Sequence, residues 1–184
     1  VLANPELEWS SEDGELGDWD FFDQAEKARI VTYGKNEVFQ IGPEYQEAIA
    51  GVSHHFLGPS ETWDQVIESR IRVLSFAGGQ EGFGFFARYP EGGISVRIEP
   101  NGTISLLKRT VFQEHVLDRA AFVVMPGKWY QLRLEAVGQH YLVYVDGQPI
   151  LSGIDPDMDR TAPRYGIVSG HALVEVDNFL VQRP

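Results

Sequence analysis

The stretch WYQLRLEAVGQHYLVYVDGQPIL, from Trp129 to Leu151, decides the fold. Leu132, Leu134 and Ala136 fall on one side of an extended chain, and Gln131, Arg133 and Glu135 on the other. Period-two alternation of this kind belongs to an antiparallel strand with one face in a core and one in water. Asp146-Gly147 then supplies two residues that accept positive φ, as a tight hairpin turn requires. The stretch reads as two alternating strands, a turn and a third strand.

The same grammar extends outward in both directions. Lys27–Tyr33 and Glu37–Ile41 flank a turn at Gly34-Lys35-Asn36, and Ala48–Leu57 is a further extended run. Trp63–Phe76 alternates along its length, with Val66, Glu68, Arg70 and Arg72 against Ile67, Ser69, Ile71 and Val73. Gly82–Tyr89 is rich in glycine and aromatics, which suits a strand in a crowded sheet. Gly93–Glu99 and Thr103–Arg109 flank Pro100-Asn101-Gly102, a hairpin signal. Val111–Leu117 and Ala120–Val124 follow as two strands, and Tyr165–Ser169 and Ala172–Gln182 close the chain after a polar loop, Asp155–Pro163. No stretch sustains a 3.6-residue period, so helix is expected only as single turns at Pro43–Ala48 or Pro156–Arg160. Residues 1–26 have no period, yet Trp9, Leu16, Trp19, Phe21 and Phe22 are too apolar for a free tail. They are expected to form an irregular arm packed on the body. With no linker or repeat, residues 1–184 read as a single domain, an all-β, two-sheet antiparallel β-sandwich.

Composition narrows the function. The net charge of −12 is uneven, with twelve acids against three bases in residues 1–60, nine against nine in 61–135, and six against three in 136–184. An acidic chain without a basic stripe is a poor partner for nucleic acid or an anionic membrane. No apolar run is long enough for membrane insertion as a helix. The absence of cysteine removes disulfides and thiolate zinc sites without fixing the compartment. Val1–Glu6 has no basic segment ahead of an apolar one, so no signal peptide is expected in this chain.

Three groups of residues carry a resemblance. Trp129-Tyr130-x-Leu132-x-Leu134, with Gly138 and Tyr144-Val145-Asp146-Gly147, resembles the central hairpin of the concanavalin A-like lectin/glucanase superfamily. Laminin G-like domains and the 3-keto-disaccharide-hydrolase-type domains of bacterial carbohydrate proteins are nearest. The tail, Tyr165 to Val168 and Ala172 to Phe179, is similar to the closing strands of those domains, and Glu12 to Trp19 to their first segment. The resemblance implies a concanavalin A-like jelly roll with a concave sheet that faces sugar. It says less about activity, because the fold hosts lectins, carbohydrate-binding modules, glycosidases, lyases and adhesion domains.

Paired carboxylates are the first chemistry to seek, since glycoside hydrolysis generally needs two. The glucanases of this superfamily carry Glu-x-Asp-x-x-Glu on one strand. Glu175-Val176-Asp177 supplies two of the three positions, but Leu180 stands where the third acid belongs. The second group is arginine: Arg70, Arg72, Arg88 and Arg97, with Arg133 as a further member. Arg70 and Arg72 are two apart on a strand and share a face. A meander would bring Arg88 and Arg97 alongside, so that the set either grips carboxylates or sulfates in bidentate fashion or pairs with Glu68, Glu99 and Glu135.

Glu68-Ser69-Arg70-Ile71-Arg72 faintly resembles an arginine strand of polysaccharide lyases, for which His54, His55, His115 and Tyr89 are the candidate bases. No Gln-Ile-His element accompanies it. Among Trp63, Phe86, Tyr89, Tyr141 and Tyr144, Trp63 and Tyr89 lie near loops and are the best candidates for stacking on sugar rings. The resemblance also implies a structural calcium joining the first segment to the last strand, with Glu12, Asp13 and Asp177 as oxygen ligands. No cofactor is otherwise required.

The leading expectation is a non-catalytic carbohydrate-binding domain, extracellular or on a bacterial cell surface, within a larger parent protein. Its concave sheet would hold a polysaccharide or oligosaccharide through Arg70, Arg72, Arg88, Arg97, Trp63 and Tyr89. A sugar-active enzyme, either lyase or hydrolase, and an adhesion domain without a sugar site are the alternatives.

Overall fold

The structure, a computed structural model, describes residues 7–9, 19–21, 28–42, 48–52, 64–76, 82–89, 93–110, 113–157, 164–170 and 172–184. The strands are β1 (Leu7–Trp9), β2 (Trp19–Phe21), β3 (Ala28–Tyr33), β4 (Asn36–Ile41), β5 (Ala48–Val52), β6 (Gln65–Phe76), β7 (Phe83–Tyr89) and β8 (Ile94–Glu99). They continue with β9 (Thr103–Arg109), β10 (Glu114–Ala121), β11 (Trp129–Val137), β12 (His140–Val145), β13 (Gln148–Ile154), β14 (Arg164–Ser169) and β15 (Ala172–Gln182). No helix occurs among the described residues.

Two antiparallel sheets form. An eight-stranded sheet runs β13-β12-β11-β6-β15-β4-β3, with β1 also paired to β15, and a seven-stranded sheet runs β10-β9-β8-β7-β14-β5-β2. The expected all-β, two-sheet sandwich is therefore the fold observed.

The alternation read from the sequence becomes a core between the sheets. Ile67, Ile71, Leu132, Leu134, Val143, Val174 and Val176 project from one sheet, and Phe83, Phe85, Val96, Ile98, Ile104, Leu106 and Ile167 from the other. All of these side chains are fully buried. Apolar area removed from water is the main stabilising term for such an interior. The turns follow their sequence signals. Asp146 and Gly147 have φ of 50° and 76°, as an Asp-Gly hairpin turn needs. Gly102 stands at φ 82°, and the Asn101 side-chain oxygen accepts the Thr103 N–H at 3.0 Å. Gly84 is required for another reason, since a Cβ there would lie 1.8 Å from the Val96 carbonyl oxygen.

Three departures from simple alternation have local causes. Residues 111–124 were expected as two strands, but one strand, β10, runs through Leu117. Val116 pairs with Leu107 and Asp118 with Leu106, so Leu117 is an extra residue in a bulge that interrupts the period. Within the stretch expected as an irregular arm, β1 pairs with β15 and β2 with β5. Three-residue strands are too short to display a period. The helical turn considered at residues 43–48 and the loop after Asp157 fall largely outside the described residues.

The third departure organises the closing strand. Asn178 has φ of 53°, and the β15–β6 register slips between Asp177 and Leu180. Asparagine tolerates this left-handed conformation better than a branched residue does. The bulge resets the alternation, so that Val174, Val176, Phe179 and Val181 all face inward. Phe179 meets Phe85 edge-on at 5.7 Å between centroids and lies against Tyr165 at 6.5 Å. It thereby joins the two sheets through aromatic contacts. Asn178→Val is expected to lower the unfolding free energy by about 1–2 kcal/mol in denaturant titration, whereas Asn178→Gly should leave it within a few tenths. Equal losses in the two variants would show that the side chain, not the backbone conformation, matters at this position.

Candidate functional site

The arginines singled out from the sequence occupy three places. Arg70 and Arg72 project from β6 on the outer face of the eight-stranded sheet. Arg97 projects from β8 on the outer face of the seven-stranded sheet. Arg88 lies between the sheets and is 1% exposed. The single arginine face expected from the sequence does not form, because the chain changes sheets between β6 and β7. Alternation fixes a side chain's face only relative to its own sheet. Trp63, Glu12, Asp13, His54 and His55 lie outside the described residues, and Tyr89 is described only by its backbone at the end of β7.

Arg88 is turned inward by its backbone. Its φ is 59°, and β14 pairs Tyr165 with Ala87 and Arg164 with Tyr89, leaving Arg88 as the extra residue of a bulge. The guanidinium crosses to the β11–β12 hairpin. It donates to the carbonyls of Gly138 at 2.9 Å and Ala136 at 3.1 Å and to the Tyr141 hydroxyl at 2.6 Å. Asp64 stands 3.6 Å away. These bonds offset the cost of taking a charge out of water. Arg88 is thus a clasp between sheets, and Tyr141, fully buried, belongs to the core.

On the eight-stranded sheet, Arg72 and Arg70 sit opposite Glu175 and Asp177 across the β6–β15 pairing. Glu175 is fully buried although it faces outward. One of its oxygens accepts from the Tyr33 hydroxyl at 2.7 Å and the Gln40 amide at 2.9 Å, while the other accepts two bonds from Arg72. Gln40 in turn accepts two bonds from Arg29. Arg70 donates one bond to Asp177 at 3.2 Å. Trp129 lies beside both arginines, its ring centre 5.0 Å from the Arg70 guanidinium and 4.6 Å from that of Arg72. Tyr33 extends the row on the other side of Arg72 at 5.2 Å. Next to this row, Arg133 pairs with Glu68 and Glu135 at 2.9 and 2.8 Å.

The acids that satisfy Arg70 and Arg72 are therefore Asp177 and Glu175, not Glu68, Glu99 and Glu135. Periodicity on one strand cannot show a counterion more than one hundred residues away. Glu175 and Asp177 are committed to these cations, which leaves them unavailable as an acid–nucleophile pair. Asp177 is also the one expected calcium ligand within the described residues, and its Oδ2 is taken by Arg70. No group of three metal-binding side chains gathers among the described residues.

The outer face of the seven-stranded sheet carries a second polar field. Arg97 reaches from β8 across β9 to β10, where it forms a two-bond fork with Glu114 at 2.8 and 3.2 Å. Register aligns Arg97, Ser105 and Arg119 across β8, β9 and β10. Arg119 donates to the Ser105 hydroxyl at 2.9 Å and lies 3.8 Å from Glu99. Glu114 and Arg119 are the open members of this field, with 36% and 48% of their side chains exposed. On the same face the Ser95 hydroxyl of β8 is buried with no hydrogen-bond partner among the described residues. Phe86, a stacking candidate, is 4% exposed on this face and offers little ring surface.

A separate open cleft of about 670 Å³ lies where the two sheet edges meet, between Leu117 of β10 and the β12–β13 hairpin. His140, Leu142, Ser152 and Ile154 line it. Its Ser152 N–H is already taken by Asp118 at 2.9 Å. Of the aromatic residues weighed from the sequence as sugar contacts, Tyr141 lines this cleft, although its side chain is buried in the core.

The fold is that of a lectin-like jelly roll. The structure is similar to domain 4 of AbnA, an extracellular arabinanase from Geobacillus stearothermophilus solved with arabinotriose. The TM-score is 0.70 at 13% identity, over 100% of this chain and 94% of that one. It is also similar to the carbohydrate-binding module CBM66 from Bacillus subtilis, with a TM-score of 0.67 and 15% identity over 90% of this chain and 95% of that one. A third likeness is a Bacillus subtilis protein of unknown function with a galectin-like fold, at TM-score 0.66 and 11% identity over 100% of this chain and 97% of that one. No family model and no curated protein matches the sequence.

Two measurements probe the buried polar groups. Arg72→Met should destabilise the protein by about 3–5 kcal/mol, because it strands the buried Glu175 carboxylate. Adding Glu175→Gln should recover much of that loss in thermal unfolding. The second concerns alkaline pH. Tyr33 is held above the ordinary tyrosine value first by its hydrogen bond to Glu175, and Tyr141 and Tyr165 are raised by burial, for Tyr141 against the opposing effect of Arg88. A folded-state value above the unfolded one stabilises the protonated protein. That contribution is whole below about pH 10 and is lost as pH rises through the higher folded values. Unfolding free energy should fall steadily above that point, and Tyr33→Phe should reduce the slope.

Proposed function

We propose that the domain is a non-catalytic carbohydrate-recognition unit of the concanavalin A-like superfamily. It would bind a neutral saccharide against the outer face of the seven-stranded sheet. The observation that carries this reading is the Arg97–Glu114 fork beside Arg119, Ser105 and Glu99. Each cation there is matched by a carboxylate, so the exposed Arg119 and Glu114 present a donor and an acceptor, held in place by the buried groups beneath them, without a large net charge. Neighbouring hydroxyls of a sugar ring both donate and accept, and such a paired field suits them. Strands rather than loops hold these groups, which lowers the ordering cost of binding. The jelly-roll likeness to a carbohydrate-binding module and to an arabinanase domain supports the same reading. It also favours a place outside the cell, as one part of a larger protein.

Catalysis is not part of this reading. The described carboxylate pair on β15 is neutralised by arginines, and a glycosidase needs one carboxyl protonated and one free.

The test is calorimetric titration with neutral oligosaccharides, beginning with arabinotriose, on the native protein and on Arg97→Gln and Glu114→Gln. Native binding with about a tenfold loss in each variant is the expected result, with the melting temperature showing that the variants remain folded. Failure of every neutral glycan to bind, or binding that both variants leave intact, would remove the site.

A further inference from the structure

The outer face of the eight-stranded sheet has a different chemistry, and we propose that it is a second saccharide site, selective for sugars carrying a carboxylate or sulfate. This inference rests on the carbohydrate reading above and concerns the opposite side of the sandwich. It would make the domain two-faced, with neutral sugar on one sheet and anionic sugar on the other.

The argument begins with depth. Glu175 and Asp177 have 0% and 4% of their side chains exposed, whereas Arg70 has 44% and Arg72 20%. The carboxylates lie beneath and the guanidinium groups stand above them. What reaches water is thus a set of N–H donors, although the formal charges beneath cancel. Arg70 spends one bond on Asp177, and its Nε and Nη2 have no protein partner among the described residues. A guanidinium carries five N–H donors in a planar fork matched to an oxyanion.

That fork is also held in place. Asp177 anchors Arg70 from below, and the Trp129 ring lies beside it at 5.0 Å. Anchoring removes side-chain freedom before a ligand arrives, so less entropy is lost on binding. The Tyr33, Arg72 and Trp129 groups form a continuous row with Arg70. Tyr33, 48% exposed, ends the row with an aromatic surface open to a sugar ring. The row crosses β3, β4, β15, β6 and β11. Neighbouring guanidinium and ring centres along it are 5.2, 4.6 and 5.0 Å apart, a row long enough for a short oligosaccharide. An oxyanion on Arg70 and an apolar ring face on Tyr33 are the two contacts the surface offers, and an acidic saccharide supplies both. The opposite field differs because Arg97 is 9% exposed and both ends of its fork are already on Glu114.

The experiment titrates the native protein with polygalacturonate, with arabinotriose and with polyglutamate, then repeats the series on Arg70→Lys and on Arg70→Gln/Asp177→Asn. The double variant removes the ion pair as a unit, so neither charge is stranded, and thermal unfolding checks its fold. The expected result is polygalacturonate binding that weakens with salt and falls about tenfold in both variants, with arabinotriose binding unchanged. Polygalacturonate binding that is absent, or that persists in both variants, while arabinotriose binds, overturns this inference and leaves the neutral site standing. Equal affinity for polyglutamate overturns the saccharide class, because charge alone would then account for binding. Silence toward both sugars overturns the carbohydrate reading and this site with it.

Discussion

The structure depends most on what β15 must do from the middle of the eight-stranded sheet. One side of the strand fills the core with Val174, Val176, Phe179 and Val181. The other side carries two carboxylates, Glu175 and Asp177, nearly removed from water. A buried carboxylate is tolerable only when cations and hydrogen-bond donors surround it. The outer positions on its neighbours supply them: Arg70 and Arg72 from β6, Gln40 from β4 and Tyr33 from β3. The polar surface of the sheet is thus organised around the acids of its central strand.

Much of the fold was legible in the sequence because each strand shows its own faces. Leu132, Leu134 and Ala136 point inward as their spacing implies, and Asp146-Gly147 makes the expected turn. The layout of the arginines was less legible. Arg72 and Arg97 each face away from their own sheet, but period two carries no information about which sheet a strand joins. The bulges at Arg88, Leu117 and Asn178 each break the register by one residue, and each reversal is invisible without the partner strand. For Arg88 the consequence is largest, since a side chain read as a ligand contact is a clasp across the core. The role of Glu175 and Asp177 was missed for a related reason, since β6 and β15 lie more than one hundred residues apart along the chain. Leu180 was a usable sign that these acids were not a catalytic run.

The two outer faces show how one architecture can present two different polar surfaces. Both carry ion pairs, yet their exposure differs. On the seven-stranded sheet Arg97 is sunk and Glu114 is the more open partner; on the eight-stranded sheet the order is reversed, with arginine above the acid. Formal charge counts would rate the two surfaces alike. The depth of each group determines what a ligand meets, because charge near water is screened and solvated while charge beneath it mainly positions its partner.

The central claim is that a neutral sugar docks on the β8–β10 face. Backbone amide shifts followed by nuclear magnetic resonance during an arabinotriose titration test it most directly. The account predicts that the shifted residues cluster around Arg97, Ser105, Glu114 and Arg119. Shifts centred instead on the cleft beside His140 or on the Trp129 row, or no shifts at all at saturating sugar, would contradict it.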